Sequence, residues 1–317
     1  MGGVCFRMLA AHGLELLLFL AFVAFATWLD LFVLHKDDHE IGLGEAALTS
    51  LAWIAIALVF SVYVYWRYGP VLWMEYITGY TLEKALSIDN IFVIAMIFGF
   101  FGLRGGLQHR ALAWGVIGAI IMRGALILVG TELVSRFNWL LPIFGLFLIF
   151  TAVKMLRGGD EEGRIEDNKI YRWAIRHLPV YPGFDGHNIF TRQNGRLMLT
   201  TLGMSIVMVE GTDLIFAVDS IPAVMGVSQD FFIILTSNVF AILGLRALYF
   251  LLAGIIHKFR YLKLGLSVVL AFIGVKMVLL LAGIHIPIGI SLGVVLGVIA
   301  ISIIASLLVP EPEEVSD

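Results

Sequence analysis

Five carboxylates lie within stretches of this sequence that are otherwise apolar. Glu83 and Asp89 are six residues apart, Asp213 and Asp219 repeat that spacing, and Glu210 comes just before the second pair. An aspartate near the centre of a membrane helix costs about 2.5 to 3.5 kcal/mol, so several of them indicate a function. Carboxylate, amide and hydroxyl oxygens suit hard cations such as Mg²⁺, Ca²⁺ and Mn²⁺, whereas copper and zinc sites use thiolate and imidazole. The five acids are therefore candidate ligands for a hard divalent cation.

Three basic residues in other apolar stretches could balance these acids: Arg123, Arg246 and Lys276. One interpretation is that these acids and bases, together with Lys84, form buried structural ion pairs. If Lys84 faces elsewhere, five acids exceed three bases by two charges, which one divalent cation would neutralise. We therefore predict a metal site in which the three basic residues balance charge.

The spacing of the acids limits how they could share one ion. Positions six apart on a regular helix lie roughly 120° apart and about 9 Å along the axis, so both acids of a pair cannot reach one metal. Either the helices unwind near the acids, or the acids form two stations along a path. Gly79, Gly211 and Pro222 are helix breakers at suitable places, and broken helices are typical of transporter ion sites. We expect unwinding.

The composition identifies the class of protein in which these acids lie. Of 317 residues, 60% are apolar and 14% are charged, against about 25% charged in soluble domains. This excludes a soluble globule and a disordered chain. A single cysteine excludes a disulfide-stapled domain, and a net charge of -3 gives no basic footprint for nucleic acid. The sequence therefore predicts an all-α polytopic membrane protein.

A membrane helix needs about 20 mostly apolar residues, and this criterion predicts nine spans. The first resembles a secretory signal, but its apolar run continues too far for one, so we expect it to remain uncleaved. The spans fall near residues 12–34, 45–67, 71–102, 107–130, 138–157, 196–224, 230–256, 262–282 and 286–309.

Lysine and arginine predict the orientation, because they are enriched in cytoplasmic loops. With nine spans, one set of alternating loops carries fourteen of these residues and the other carries three. The amino terminus is therefore predicted to be periplasmic and the carboxyl terminus cytoplasmic. Residues 158–195 become a cytoplasmic linker between residues 71–157 and 196–282. Residues 1–70 supply two further helices, and 283–317 supply the last helix with an acidic cytoplasmic tail.

The two sides of the linker resemble each other. The third span contains Glu83-Lys-Ala-Leu-Ser-Ile-Asp89-Asn90-Ile, and the sixth contains Asp213-Leu-Ile-Phe-Ala-Val-Asp219-Ser220-Ile. The next span in each half carries one arginine, and the span after that carries a Val-Lys-Met triplet. We interpret residues 71–157 and 196–282 as two copies of a three-helix unit. The odd number of spans in each copy places them in opposite senses, as in many secondary transporters.

These two acidic segments resemble the signature segments of the TerC family of bacterial membrane proteins, and the nine-span layout is similar to its Alx branch. The resemblance implies two three-helix repeats, an inner-membrane location, and a role in manganese homeostasis and export. The resemblance also implies that the metal-binding residues are those at the matching positions: Glu83, Asp89, Asn90, Glu210, Asp213 and Asp219. The family name comes from tellurium resistance, but an acidic site would repel tellurite.

The hypothesis is therefore a Mn²⁺ exporter with no resident cofactor, in which protons exchange with metal at the same acids. Two alternatives remain. Paired aspartates can form the acid/base couple of an intramembrane enzyme, although five acids with compensating bases argue against an enzyme. The other alternative is a metal sensor that moves no ion.

The cluster from His35 to Glu40 could gather metal at the cytoplasmic mouth, but we interpret it as a solvated loop. No oligomeric state is predicted.

Overall fold

The computed structural model describes residues 4–29, 42–137, 139–157, 165, 168–193, 195–252 and 260–309, with the side chains of 4–12, 89 and 260 excepted. The His35 to Glu40 cluster, the acidic tail after residue 309 and the side chain of Asp89 thus lie outside the described part. The helices are α1 Val4–Leu29, α2 Leu43–Tyr68, α3 Pro70–Phe101, α4 Gly106–Arg136, α5 Leu140–Leu156, α6 Lys169–His177, α7 Thr201–Met225, α8 Phe231–Leu243, α9 Leu245–Leu252, α10 Arg260–Leu279 and α11 Ile288–Leu308.

Each of the nine predicted spans overlaps a helix or a bent pair of helices in the described part of the chain, but fewer than nine of these helices meet the criterion for crossing a membrane. Among the described residues, α2, α3, α4, α7, α10 and α11 are long and apolar enough. A seventh span results if α8 and α9, which are bent by 42°, count as one. The apolar parts of α1 and α5 are shorter. The protein is thus an all-α polytopic membrane protein with six or seven candidate spans.

The predicted linker has a structure of its own. Helix α6 begins after Asn168, whose side chain accepts a hydrogen bond from the Ile170 amide. Strands β1 (Phe190–Gln193) and β2 (Arg196–Leu199) form an antiparallel hairpin. The sixth span was predicted to begin near residue 196, but residues 196–199 form β2 and the membrane helix begins just after this strand. Helix α7 begins at Thr201 and is capped by the Thr200 side chain.

The predicted unwinding near the acids is also wrong, because α3 and α7 are each continuous. A Cβ atom added at Gly79 would lie 3.1 Å from Ser237 Oγ, and one added at Gly211 would lie 2.9 Å from Ile170 Cγ2. These glycines therefore allow close packing, and Pro222 lies in the last turn of α7. The break in the bundle occurs instead at Gly244, between α8 and α9.

Helices from the two halves of the chain pack against each other. Both α3 and α4 contact α7 and α8, and α5 packs along α10. At the contact between α5 and α10, a Cβ atom added at Gly145 would lie 2.7 Å from the Gly274 carbonyl oxygen. One added at Gly274 would lie 2.6 Å from the Gly145 carbonyl oxygen. The two backbones thus touch directly.

Replacing Gly274 by valine is expected to lower the free energy of unfolding by about 1 to 3 kcal/mol, the usual cost of overpacking. The new side chain would collide with the backbone of α5, which cannot move aside as a flexible side chain would. Thermal unfolding of the purified protein in detergent measures the effect. Gly297→Val on α11 is the matched control, because a Cβ atom there meets nothing within 4 Å. Equal unfolding midpoints for the two variants would contradict the prediction.

Candidate functional site

The guanidinium of Arg123 on α4 joins two of the predicted metal ligands. Its Nη2 lies 2.8 Å from Asp213 Oδ1, and its Nε donates to Asp213 Oδ2 at 3.2 Å. Its Nη1 lies 2.5 Å from Glu83 Oε2. Side-chain exposure is 3% for Arg123, 1% for Glu83 and 16% for Asp213. One buried cation therefore holds together a carboxylate of α3 and a carboxylate of α7.

Polar side chains from three helices extend this group. Asn90 Nδ2 donates to Asp213 Oδ1 at 3.2 Å. Ser220 Oγ accepts a long bond of 3.5 Å from the same guanidinium. Thr151 Oγ1 on α5 donates to Asp219 Oδ1, also at 3.5 Å. Ser220 and Thr151 are additional residues that sequence analysis did not select. The site thus draws on α3, α4, α5 and α7.

Two carboxylate oxygens of the site have no hydrogen-bond partner among the described residues. These buried atoms are Glu83 Oε1 and Glu210 Oε1. The Glu210 carboxylate rests against Gly118 on α4, where a Cβ atom would occupy the place of the carboxylate. Sequence analysis did not select Gly118, whose missing side chain leaves the space that the Glu210 carboxylate occupies. Buried carboxylate oxygens without partners are costly, and they are suited to accept a cation.

The other basic residues lie in different surroundings. Lys276 interacts electrostatically with Glu75, a carboxylate that sequence analysis did not select. Glu75 precedes Glu83 by eight residues, which is about 12 Å along α3. Lys84 Nζ donates to the Ala241 carbonyl at 3.3 Å and thus faces α8. Arg246 is buried on α9, beyond the break in the bundle.

The acids do not form a preassembled metal site in this structure. Within the described part of the chain, no three His, Cys, Asp or Glu side chains lie close enough to hold a metal ion. Glu83 and Asp213 are both held by Arg123, and a metal would have to replace that guanidinium.

A family model described as "Integral membrane protein TerC family" matches residues 68–314, which include every predicted site residue. The chain belongs to the TerC family. It is 44% identical to an uncharacterized membrane protein of Myxococcus xanthus over 299 residues, which are 94% of this chain and 93% of that protein. It is also 44% identical to a protein of Escherichia coli K12 named "Putative membrane-bound redox modulator Alx", over 277 residues covering 85% of this chain and 86% of that one.

An uncharacterized membrane protein of Rickettsia felis is 41% identical over 292 residues, which cover 92% of this chain and 97% of the relative. No solved structure matches the chain. The resemblance to the TerC family that the two acidic segments indicate is therefore confirmed, and the chain is a multi-pass integral membrane protein.

In this TerC family protein, helix α6 packs against α7 and against the end of α3. Ile170 contacts Gly211 on α7, which lies between Glu210 and Asp213 in sequence. Tyr171 packs with its ring edge-on to Phe100 at the end of α3, 5.6 Å between centroids. The segment predicted as a plain linker is thus attached to the helix that carries three of the predicted ligands.

Replacing Ile170 by alanine is expected to loosen α6 from α7, because it removes the side chain that rests on Gly211. We expect faster cleavage of the 158–195 segment by a soluble protease, and Gly211→Val should have the same effect by filling the contact from the other side. The rate of proteolysis of purified protein measures this. Ile175→Ala is the matched control, because Ile175 on the same helix is 50% exposed. Unchanged cleavage of both test variants would contradict the proposed attachment of α6.

Proposed function

We propose that this protein exports a divalent cation, Mn²⁺, from the cytoplasm through the acidic site between its two three-helix units. One observation carries the proposal: Arg123 holds Glu83 and Asp213, from opposite halves of the chain, in a buried cluster. The same cluster contains carboxylate oxygens without hydrogen-bond partners. Such a set of acids is expensive in a membrane unless a cation binds there.

The mechanism follows from competition for these carboxylates. Without metal, Arg123 neutralises Glu83 and Asp213 in part and keeps α3 and α7 together. An entering Mn²⁺ takes over the carboxylate oxygens, with Glu210, Asn90, Asp89 and Asp219 as the further proposed ligands. A bare guanidinium and a divalent cation repel each other, so metal entry pushes Arg123 away. Protons that bind the acids after metal release complete the proposed exchange.

The packing of the helices supports alternating access between residues 71–157 and 196–282. α3 of the first unit packs on α8 of the second, α4 packs on α7, and α5 packs on α10. Two copies related by an axis in the membrane plane would produce this reciprocal pattern. We further propose that the protein lies in the inner membrane with its amino terminus in the periplasm. The segment 158–195 would then lie at the cytoplasmic entrance.

The name of the relative in Escherichia coli refers to redox modulation and to no transported substrate. The 317 residues of this chain contain one cysteine, Cys5, so they cannot form an internal disulfide. This supports a route through the acidic cluster in preference to thiol chemistry.

The test is Mn²⁺ uptake by proteoliposomes that contain a manganese-sensitive dye. Wild-type protein should move Mn²⁺, and Glu83→Gln should abolish most of the flux, because it removes a charged oxygen from the site. Glu132→Gln is the matched control, because Glu132 is paired with Arg136 at the end of α4. Binding of Mn²⁺ with no flux in wild-type liposomes would identify a sensor, and absence of both binding and flux would refute the metal site.

A further inference from the structure

A lysine on α3 contacts the end of a half-helix inside the bundle. Helix α8 ends at Leu243 and α9 begins at Leu245, with a bend of 42° between them. Lys84 Nζ donates to the carbonyl of Ala241, in the last turn of α8, at 3.3 Å. The last four carbonyls of a helix lack intrahelical partners, and they carry the negative end of its dipole. The ammonium therefore lies where a cation is favoured.

Gly244 makes the space that the ammonium occupies. A Cβ atom at this position would lie 2.7 Å from Lys84 Nζ and 3.2 Å from Trp53 Cβ. In the part of the chain whose side chains are described, no carboxylate forms an ion pair with Lys84. Among these residues, the positive charge is thus met by the carbonyl end of α8.

The equivalent contact, between α7 and α4, lacks both features. If Glu83 is equivalent to Asp213 and Arg123 to Arg246, the counterpart of Lys84 is Leu214 and the counterpart of Gly244 is Ile121. Leu214 carries no charge, and α4 continues through Ile121 without a break. The lysine and the broken helix therefore occur together at the contact of α3 with α8, and both are missing from the equivalent contact of α7 with α4. This pairing argues that the ammonium and the carbonyl end of α8 act together.

We propose that the carboxyl-terminal end of α8 is a binding site for a monovalent cation, K⁺ or Na⁺, and that the Lys84 ammonium fills it as a tethered cation. Carbonyl oxygens at the ends of broken helices coordinate such ions in transporters. In the proposed exporter, Lys84 would join α3 of the first unit to α8 of the second. Only this role of Lys84 depends on the proposed function, and the cation site itself does not.

The experiment compares the thermal unfolding of purified protein in detergent, without Mn²⁺, in KCl, NaCl or N-methyl-D-glucamine chloride at equal ionic strength. Lys84→Ala empties the site, so K⁺ or Na⁺ should raise its unfolding midpoint in a saturable way. At about 100 mM salt, a site with a Kd of about 10 mM shifts the folding equilibrium roughly elevenfold, which corresponds to a rise of about 3 °C. Wild-type protein and Lys84→Arg should show no such dependence, because a tethered cation fills the site.

If Lys84→Ala does not fold, Lys84→Ser provides the same vacancy with a small polar residue. Variants whose midpoints fall equally in all three salts would overturn the proposal, because Lys84 would then be only a hydrogen-bonding cap. A cation effect of equal size in wild-type protein would also overturn it. No transport is measured, so failure of Mn²⁺ flux in liposomes and failure of this cation site are separate results.

Discussion

Replacing Arg123 by glutamine is expected to lower the free energy of unfolding by about 3 to 5 kcal/mol, because it leaves two buried carboxylates without their cation. Glu83 and Asp213 are the two groups that lose it. Thermal unfolding in detergent provides the measurement. Arg123→Lys should recover only part of the loss, because one ammonium cannot reproduce the fork that holds Asp213 while also reaching Glu83.

Arg136→Gln is the matched control for this experiment. Arg136 is paired with Glu132 but is 64% exposed, and its loss should cost less than about 1 kcal/mol. A second variant separates charge from shape: Arg123→Gln combined with Glu83→Gln and Asp213→Asn removes the buried charges together and should recover most of the stability, with no Mn²⁺ flux. A wild-type midpoint for Arg123→Gln alone would show that the buried cluster does not hold the helices together.

Replacing Glu210 by glutamine is expected to separate stability from transport. The Glu210 carboxylate has a buried oxygen without a partner and, among the described side chains, forms no ion pair. Removing its charge should leave the unfolding midpoint unchanged or raise it, because a buried unpaired charge is costly. Mn²⁺ flux should fall at least about tenfold, since loss of even an outer-shell partner typically weakens metal binding 10- to 100-fold.

Both quantities are measured on the same preparation, by thermal unfolding in detergent and by dye quenching in liposomes. Glu210→Asp tests geometry with the charge kept, and it should retain more flux than Glu210→Gln. A Glu210→Gln protein that moves Mn²⁺ at the wild-type rate would remove Glu210 from the proposed site. A fall in both stability and flux would mean that Glu210 holds the fold and not the metal.

Much of the helical framework could be predicted from hydropathy, because a membrane helix must satisfy its backbone hydrogen bonds internally. Each of the nine apolar stretches overlaps a helix in the described part of the chain, although the apolar part of α1 and helix α5 are shorter than a full span. The pairing of acids with arginine was also predictable, since Arg123 and the acids had few other partners in an apolar sequence. The sequence did not show which acids would pair with Arg123, because that depends on how α3, α4 and α7 pack.

The breaker residues were the weak point of the sequence analysis. Gly79 and Gly211 permit close contacts with Ser237 and Ile170, and neither interrupts its helix. The local sequence around a glycine in a membrane helix does not tell whether the glycine allows close packing or a helix break. The outcome depends on which elements of the fold pack against it. The hairpin could have been found, because Asn194-Gly195 lies between two short strands and is a strong turn signal. Gly195 does adopt a positive φ of 77°.

The direct contact of α5 and α10 has a mechanical consequence. The backbones of α5 and α10 touch at Gly145 and Gly274, so no layer of side chains separates them there. If α5 tilts against α10, this contact is the point about which it turns. Gly145 is the sixth of seventeen residues in α5, which leaves a short arm of about 7 Å on one side and a long arm of about 16 Å on the other. Thr151 lies on the long arm, about 9 Å from the junction, so a tilt of α5 would displace the residue that contacts Asp219.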